Sequence, residues 1–371
     1  MTQRIRRIAI TTGGGDAPGL NAVVRAAVLS AKRRGWDVLG IRRGYEGLLD
    51  PEKLVQLDRE SVRAITHLGG SILGATNKGN PLRWPVKLPS GEVTVVDRTP
   101  EVVTNFHRLG IDALIAIGGD GSMRIAHALS QQGLPVVGVP KTIDNDLPGT
   151  ALTFGFDTAV GVATEAIDRL HSTAEAHERV FTVELMGRYA GWIALHAGIA
   201  ATADVILIPE IPFDITAVCR KIMEREALGR HFSIVVVAEG ARPVGGEMVF
   251  QQRGDGGTSR LGGIGEQVAR QIEERTGKEA RNLVLGHLQR GGSPSAFDRV
   301  TAQRFGAAAV QVVADGECGV MVALDPPEIK TVPLADVIDK LNLVPLECDT
   351  VKTARDIGIC LGDSWEERGV W

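Results

Sequence analysis

Short apolar runs of four to eight residues, rich in Ile and Val, alternate along this chain with longer amphipathic stretches. That alternation predicts parallel strands covered by helices, because a strand buried on both faces reads as a continuous apolar run. The runs read as strands are Ile8 to Thr12, Ala113 to Ile117, Val136 to Val139, Val180 to Glu184, Val205 to Ile208 and Ser233 to Ala238. Several of them run straight into glycine or acidic residues. In open α/β sheets the loops beyond the carboxyl ends of the strands form the ligand crevice, so the chemistry is expected there.

Helices are legible between these runs. Asn21 to Arg34 places Val24, Ala27, Val28 and Ala31 on one face and meets a stop at Gly35. Ser122 to Gln131 follows a glycine turn, with Ser122 near the position expected to cap it. Thr158 to Ala174 and Gly262 to Thr276 read as two more. From Lys78 to Thr99 the pattern breaks at Pro81, Pro85 and Pro89, with a Ser90-Gly91 turn signal, which predicts an inserted surface loop or hairpin. There is no fixed-period repeat or low-complexity tract, and no composition break marks a linker.

Composition narrows the function. The net charge of −4 over 371 residues argues against a nucleic-acid protein, which needs a basic surface. Aromatic residues, at 4%, are too few for a base-stacking platform. No apolar stretch reaches the ~18 residues that span a bilayer, so the reading is a cytoplasmic protein with no membrane partner. Cys219, Cys318, Cys348 and Cys360 form no CxxC pair and read as reduced structural residues. Glycine is in excess, 45 residues, gathered in short runs after the apolar segments.

Three of those segments carry chemistry. Thr11-Thr12-Gly13-Gly14-Gly15-Asp16-Ala17-Pro18-Gly19-Leu20-Asn21 is a strand, a glycine turn and a helix start. Backbone N–H groups there could cradle an oxyanion at a helix N-terminus, or the segment could be only a tight turn. It is not a P-loop, since Leu20-Asn21 stands where Lys-Ser/Thr is required. Ile117-Gly118-Gly119-Asp120-Gly121-Ser122 adds a carboxylate beside such a cradle, which suits a magnesium ion bridging protein and nucleotide phosphates; a capping Asp is the plainer reading. In Pro140-Lys141-Thr142-Ile143-Asp144-Asn145-Asp146 two acids sit at i and i+2. On an extended segment they would face one site while Ile143 and Asn145 face away, one taking a proton and the other helping with a metal.

These segments, together with Glu184-Leu185-Met186-Gly187-Arg188-Tyr189-Ala190-Gly191, Val237-Ala238-Glu239-Gly240 and Leu285-Gly286-His287-Leu288-Gln289-Arg290-Gly291-Gly292-Ser293-Pro294, resemble the 6-phosphofructokinases in order from about Ile5 to Gly319. The resemblance implies two α/β domains, each a mainly parallel sheet flanked by helices in three layers, with the active site in the cleft between them. It puts residues 1–154 with 289–340 in a donor domain and 155–288 with 341–371 in a sugar-phosphate domain.

The resemblance further implies ATP and Mg2+ acting on fructose 6-phosphate. Asp144 would be the base, with Asp146 beside it, and Asp120 the metal ligand. Thr142 and Arg188 would stabilise the phosphoryl group in transit. Gly14, Gly119, Gly121, Ser122 and Lys78 would line the donor phosphates. Thr142, Ile143, Asp144, Met186, Gly187, Arg188, Glu239, His287 and Arg290 would meet the sugar, although His287 could equally be a packed loop histidine. Arg179 and Arg281 would come from the neighbouring subunit of a homotetramer or dimer. Gly121 and Lys141 would set donor choice: diphosphate-dependent members carry a second Asp in place of Gly121, and a Lys where this chain has Lys141. Gly121 leaves room for an α-phosphate, so ATP is expected, with a diphosphate-dependent phosphotransferase as the alternative. Leu29 and Asp204 depart from the effector pocket of regulated bacterial members, which implies near-hyperbolic kinetics. A NAD or lipid kinase would share only the Gly118 to Ser122 turn, and a non-catalytic sensor would be expected to have lost one of Asp120, Asp144 and Asp146.

Overall fold

A computed structural model describes residues 5–76, 79–252 and 260–363. In chain order the strands begin with β1 (Arg7–Thr12), β2 (Asp37–Ile41), β3 (Leu54–Leu57), β4 (Trp84–Lys87) and β5 (Val93–Val96). Next come β6 (Ala113–Gly118), β7 (Val136–Pro140), β8 (Val180–Leu185), β9 (Val205–Leu207) and β10 (Ser233–Ala238). The last are β11 (Phe250–Gln252), β12 (Arg260–Leu261), β13 (Ala280–Val284), β14 (Val320–Asp325) and β15 (Glu328–Pro333). The helices are α1 (Leu20–Arg33), α2 (Glu46–Leu49), α3 (Thr99–Arg108), α4 (Asp120–Gln131), α5 (Phe156–His177) and α6 (Trp192–Ala200). They continue with α7 (Ile215–Ala227), α8 (Ile264–Thr276), α9 (Ala296–Ala314), α10 (Leu334–Val337) and α11 (Asp349–Asp356).

The chain divides into two compact units. The first takes Met1–Ile143, Leu147–Thr158 and Arg290–Lys340, and the second Asp144–Asp146, Ala159–Gln289 and Leu341–Trp371. In the first, seven strands lie in the order β15-β14-β7-β6-β1-β2-β3, parallel except for β3 and β15 at the edges. Successive side chains of a strand serve opposite faces, and both faces are buried. Ile8, Ile10, Ile115, Ile117, Val137 and Val139 join one core with α1 and α9. Ala9, Leu114, Ala116 and Val136 join another with Phe106 of α3 and Met123, Ala126 and Leu129 of α4. The second unit has a four-stranded parallel sheet, β13-β8-β10-β9. Val180, Val205, Val235 and Val237 of this sheet pack on Val218 and Ile222 of α7 and Val268 and Ile272 of α8.

Local expectations meet two kinds of outcome. The stop at Gly35 is a Schellman turn: Gly35, at φ +77°, and Trp36 donate their N–H groups to Lys32 and Ala31 of α1. The proline-rich insertion is the antiparallel hairpin β4–β5. Ser122 is not a cap, however. α4 begins two residues earlier, at Asp120, and Gly119 precedes it, so Ser122 lies inside the first turn. The four cysteines are free, and Cys318 is exposed rather than packed.

Candidate active site

In the first unit the carboxyl ends of β1 and β6 run into the two glycine turns, and Gly13 N–H donates to Ile117 O at 2.9 Å. Ser122 packs between them. A Cβ on Gly13 would come 2.5 Å from Ser122 Oγ and displace that hydroxyl, while one on Gly118 would overlap the Ser122 Cβ as well, so the close approach demands glycine at Gly118. Asn21, where a P-loop would have its cation-and-hydroxyl pair, is structural. It is buried, donates to Leu68 O and Gly69 O at 3.1 Å, and accepts from Ile72 N at 2.8 Å.

Lys141 follows β7 and is 4% exposed. Its backbone N–H donates to Gly118 O at 2.9 Å, and its ammonium reaches into the first glycine turn to donate to Gly15 O. A Cβ on Gly14 would stand 3.4 Å from Lys141 Nζ, and one on Gly15 would fall on the Arg290 guanidinium. One unit thus gathers Gly14, Gly15, Gly119, Ser122, Lys141 and Arg290, two cations beside backbone suited to phosphate oxygens. Next to Gly121 there is space: nothing stands within 4 Å of where its Cβ would be.

Asp120 opens α4, where the helix dipole favours an anion. Arg124, one turn on, donates to both of its oxygens at 3.1 and 3.2 Å and is held from the other side by Asp339. Among the described residues no three His, Cys, Asp or Glu side chains cluster as a complete metal cage. A single partly exposed carboxylate beside a phosphate-sized cradle is nevertheless what Mg2+ takes, since it fills the rest of its shell with phosphate oxygens and waters. The donor set fits that ion, and Asp120 is the residue that would hold it.

Beyond Lys141 burial alternates: Ile143, Asn145 and Leu147 are buried, while Thr142, Asp144 and Asp146 are partly accessible. The extended backbone expected to turn both acids toward one site is not kept, because Asn145 takes a left-handed φ of +52°.

In the second unit the carboxyl ends of β8, β10 and β13 present Met186–Arg188, Glu239 and His287. Glu239 N donates to Leu185 O at 2.8 Å, Gly240 N to Gly187 O at 3.1 Å and Leu285 N to Glu184 O at 3.0 Å, which keeps the three loops side by side. The Arg188 guanidinium lies 5.1 Å over the exposed Tyr189 ring. His287 is exposed in a 3-10 turn rather than packed. Buried Glu184 receives Gly263 N and Gly265 N at 2.9–3.1 Å and ties the start of α8 to this sheet.

Arg179 and Arg281 are elsewhere on the same sheet. Arg179 precedes β8, about 20 Å of strand from Leu185, and Arg281 pairs with Phe181 near the start of β8, about 13 Å from Leu185. Both guanidiniums meet Glu279, Arg179 at 2.7 Å, and the hydrogen bond from Arg179 holds the Glu279 carboxyl below its ordinary range. Within one chain they are not brought to the Met186–Arg188 loop. Lys78, Trp365 and Trp371 lie outside the described residues.

The phosphofructokinase family model matches residues 7–313. The chain belongs to the phosphofructokinase family. It is 53% identical over 365 residues, 98% of its length and 99% of the relative's, to an ATP-dependent 6-phosphofructokinase of Chloroflexus aurantiacus. It is 50% identical over 342 residues, 91% of its length and 96% of the relative's, to a pyrophosphate–fructose 6-phosphate 1-phosphotransferase of Streptomyces coelicolor. Among solved structures it resembles Pichia pastoris phosphofructokinase in the T-state, with a TM-score of 0.78 and 30% identity; the match covers 96% of this chain and 37% of that one.

Family membership was readable in the short-range motifs, because glycine turns and their acids are contiguous in sequence. Arg124 and Asp339 were missed. Arg124 had a signal, its i+4 spacing from Asp120 on a helix; Asp339, 215 residues further on, had none. Asp204, singled out only as a departure from an effector pocket, pairs with Arg225 at 2.7 Å and accepts from Ile234 N at 2.9 Å.

Proposed function

We propose that the chain transfers the terminal phosphoryl group of ATP to the 1-hydroxyl of fructose 6-phosphate, in glycolysis and in the cytoplasm. The observation that carries this reading is the junction of β6 and β7. Their adjacent carboxyl ends lead one into the Asp120 turn and the other, through Lys141 and Thr142, into the Asp144 segment. Family relatives named for this reaction match nearly the whole chain.

The Asp144 carboxylate accepts the proton of the 1-hydroxyl as its oxygen attacks the γ-phosphorus in line, and ADP leaves. Thr142 and Arg188 donate to the equatorial oxygens, where negative charge is spread in the transition state. Gly14, Gly119, Gly121 and Ser122 line the donor phosphates, with Lys141 and Arg290 as nearby cations. Mg2+, held by Asp120, would neutralise donor phosphate charge. Met186, Gly187, Glu239 and His287 receive the sugar. Arg179 and Arg281, on the far end of their own sheet, serve the site of a neighbouring copy in a homotetramer or dimer.

A second reading, diphosphate as donor, is favoured by the buried Lys141. The open flank of Gly121 supports ATP: it leaves room for the α-phosphate of a nucleotide and adds no repelling carboxylate. Steady-state rates with fructose 6-phosphate test both. ATP is expected to exceed diphosphate in kcat/KM by at least about 100-fold, a transition-state difference of about 3 kcal/mol. A preference for diphosphate would overturn the donor assignment, and no product from either would overturn the function.

A further inference from the structure

We propose that Asn342, on the segment Leu341–Val344 that returns to the second unit, is a positioning residue for the base-bearing segment Asp144–Asp146. The inference rests on Asp144 acting as the base. Asn342 makes three hydrogen bonds to residues distant in sequence. Its backbone N–H donates to Asp146 O at 2.9 Å, its side-chain Nδ2 donates to Asn145 O at 2.8 Å, and its own carbonyl accepts the Trp192 indole N–H at 2.8 Å. The amide orientation is fixed by chemistry, since a carbonyl oxygen can only accept.

Two residues on, buried Val344 donates its N–H to Glu210 at 2.9 Å. The same carboxylate receives Gly191 N–H at 3.0 and 3.2 Å, just ahead of α6. The strap is therefore tied at two points to the frame around α6, and at two more to the carbonyls that follow Asp144.

Those carbonyls need holding. Asn145 is 3% exposed and left-handed, a conformation that persists only when its surroundings determine it. Turning the chain at Asn145 aims consecutive carbonyls of residues 145 and 146 at one side chain and one backbone N–H, both of Asn342. The peptides after Asn145 and Asp146 thereby have fixed planes, which anchors the chain immediately beyond Asp144 and so constrains where its carboxylate leaves the backbone. Misplacing a reacting group by about 1 Å can lower a rate about 100-fold, so a residue that touches neither substrate can govern turnover.

The test is steady-state kinetics of Asn342→Ala and Asn342→Asp, each in the parent chain and combined with Asp144→Asn, with melting temperatures alongside. Asn342→Asp keeps the side-chain volume and replaces the donor by an acceptor facing Asn145 O, so it reports even where Asn342→Ala fails to fold. Either variant is expected to lower kcat at least tenfold while KM for ATP stays within twofold. Neither should lower the residual rate of Asp144→Asn further, since Asn342 acts through that carboxylate. A kcat within twofold of the parent, or an equal loss in both backgrounds, overturns the inference. Full turnover by Asp144→Asn alone would overturn the base reading on which it stands, an outcome separate from the first two.

Discussion

Asp120, Arg124 and Asp339 form a chain of alternating charge in which one guanidinium is shared by two carboxylates. Arg124 and Asp339 are exposed and Asp120 partly so, and pairs of that kind are worth about 1 kcal/mol or less. A metal that binds Asp120 competes with Arg124 for it. Arg124→Gln should therefore lower the Mg2+ concentration giving half-maximal rate, by less than about fivefold. Asp120→Asn should raise it and reduce kcat as well. Titrating Mg2+ at fixed ATP checks both, and an unchanged midpoint for Asp120→Asn would contradict its role. The same residues show what was legible. Gly118 to Ser122 could be read because its parts are neighbours in sequence. Asn342 could not: its partners lie 150, 196 and 197 residues away, and two of them are backbone carbonyls, which carry no residue signature.

Elements were legible in proportion to their burial. β6, β7 and β10 are buried from end to end and stand out as apolar runs. The edge strands β3 and β15 are short or half-exposed, with Gln56, Glu328 and Lys330 among their residues, and give no comparable pattern. Helix starts depend on contacts the sequence does not display. α5 is entered over Asp298 of α9, a fully buried carboxylate that accepts from Gly155 N at 2.9 Å, Thr158 N at 2.8 Å and Thr158 Oγ1 at 2.6 Å. Burial pushes the Asp298 carboxyl above its ordinary range, against those hydrogen bonds. Asp298→Ala would leave three donors unsatisfied in the interior. It is expected to lower stability by about 3 kcal/mol in urea unfolding, and a loss below about 1 kcal/mol would contradict this account of the helix start.

At the scale of the whole molecule, a mainly parallel sheet and a fully parallel one present their motif-bearing loops at the carboxyl ends of their parallel strands, and the ends of β6 and β7 carry the residues assigned to phosphoryl transfer. Stability should respond to pH through His196 of α6, half-buried and edge-on to Trp192 at 5.9 Å. Burial pushes its imidazole below the ordinary 6.5. The unfolded chain takes a proton as pH falls through that value while the folded chain does not, so stability present at neutral pH is lost on acidification toward the folded pKa. Between about pH 7.5 and 5.5 the melting temperature of the parent should fall relative to that of His196→Gln. Parallel curves would contradict it. The proposed service of Arg179 and Arg281 to a neighbouring copy requires assembly: a fully active monomer in sedimentation and assay would refute it. The most direct test of the central claim is the turnover of Asp144→Asn with fructose 6-phosphate and MgATP. A general base contributes about 100- to 10,000-fold, so kcat should fall by at least about 100-fold while both substrates still bind within a few-fold of the parent. A kcat within tenfold of the parent would contradict the account.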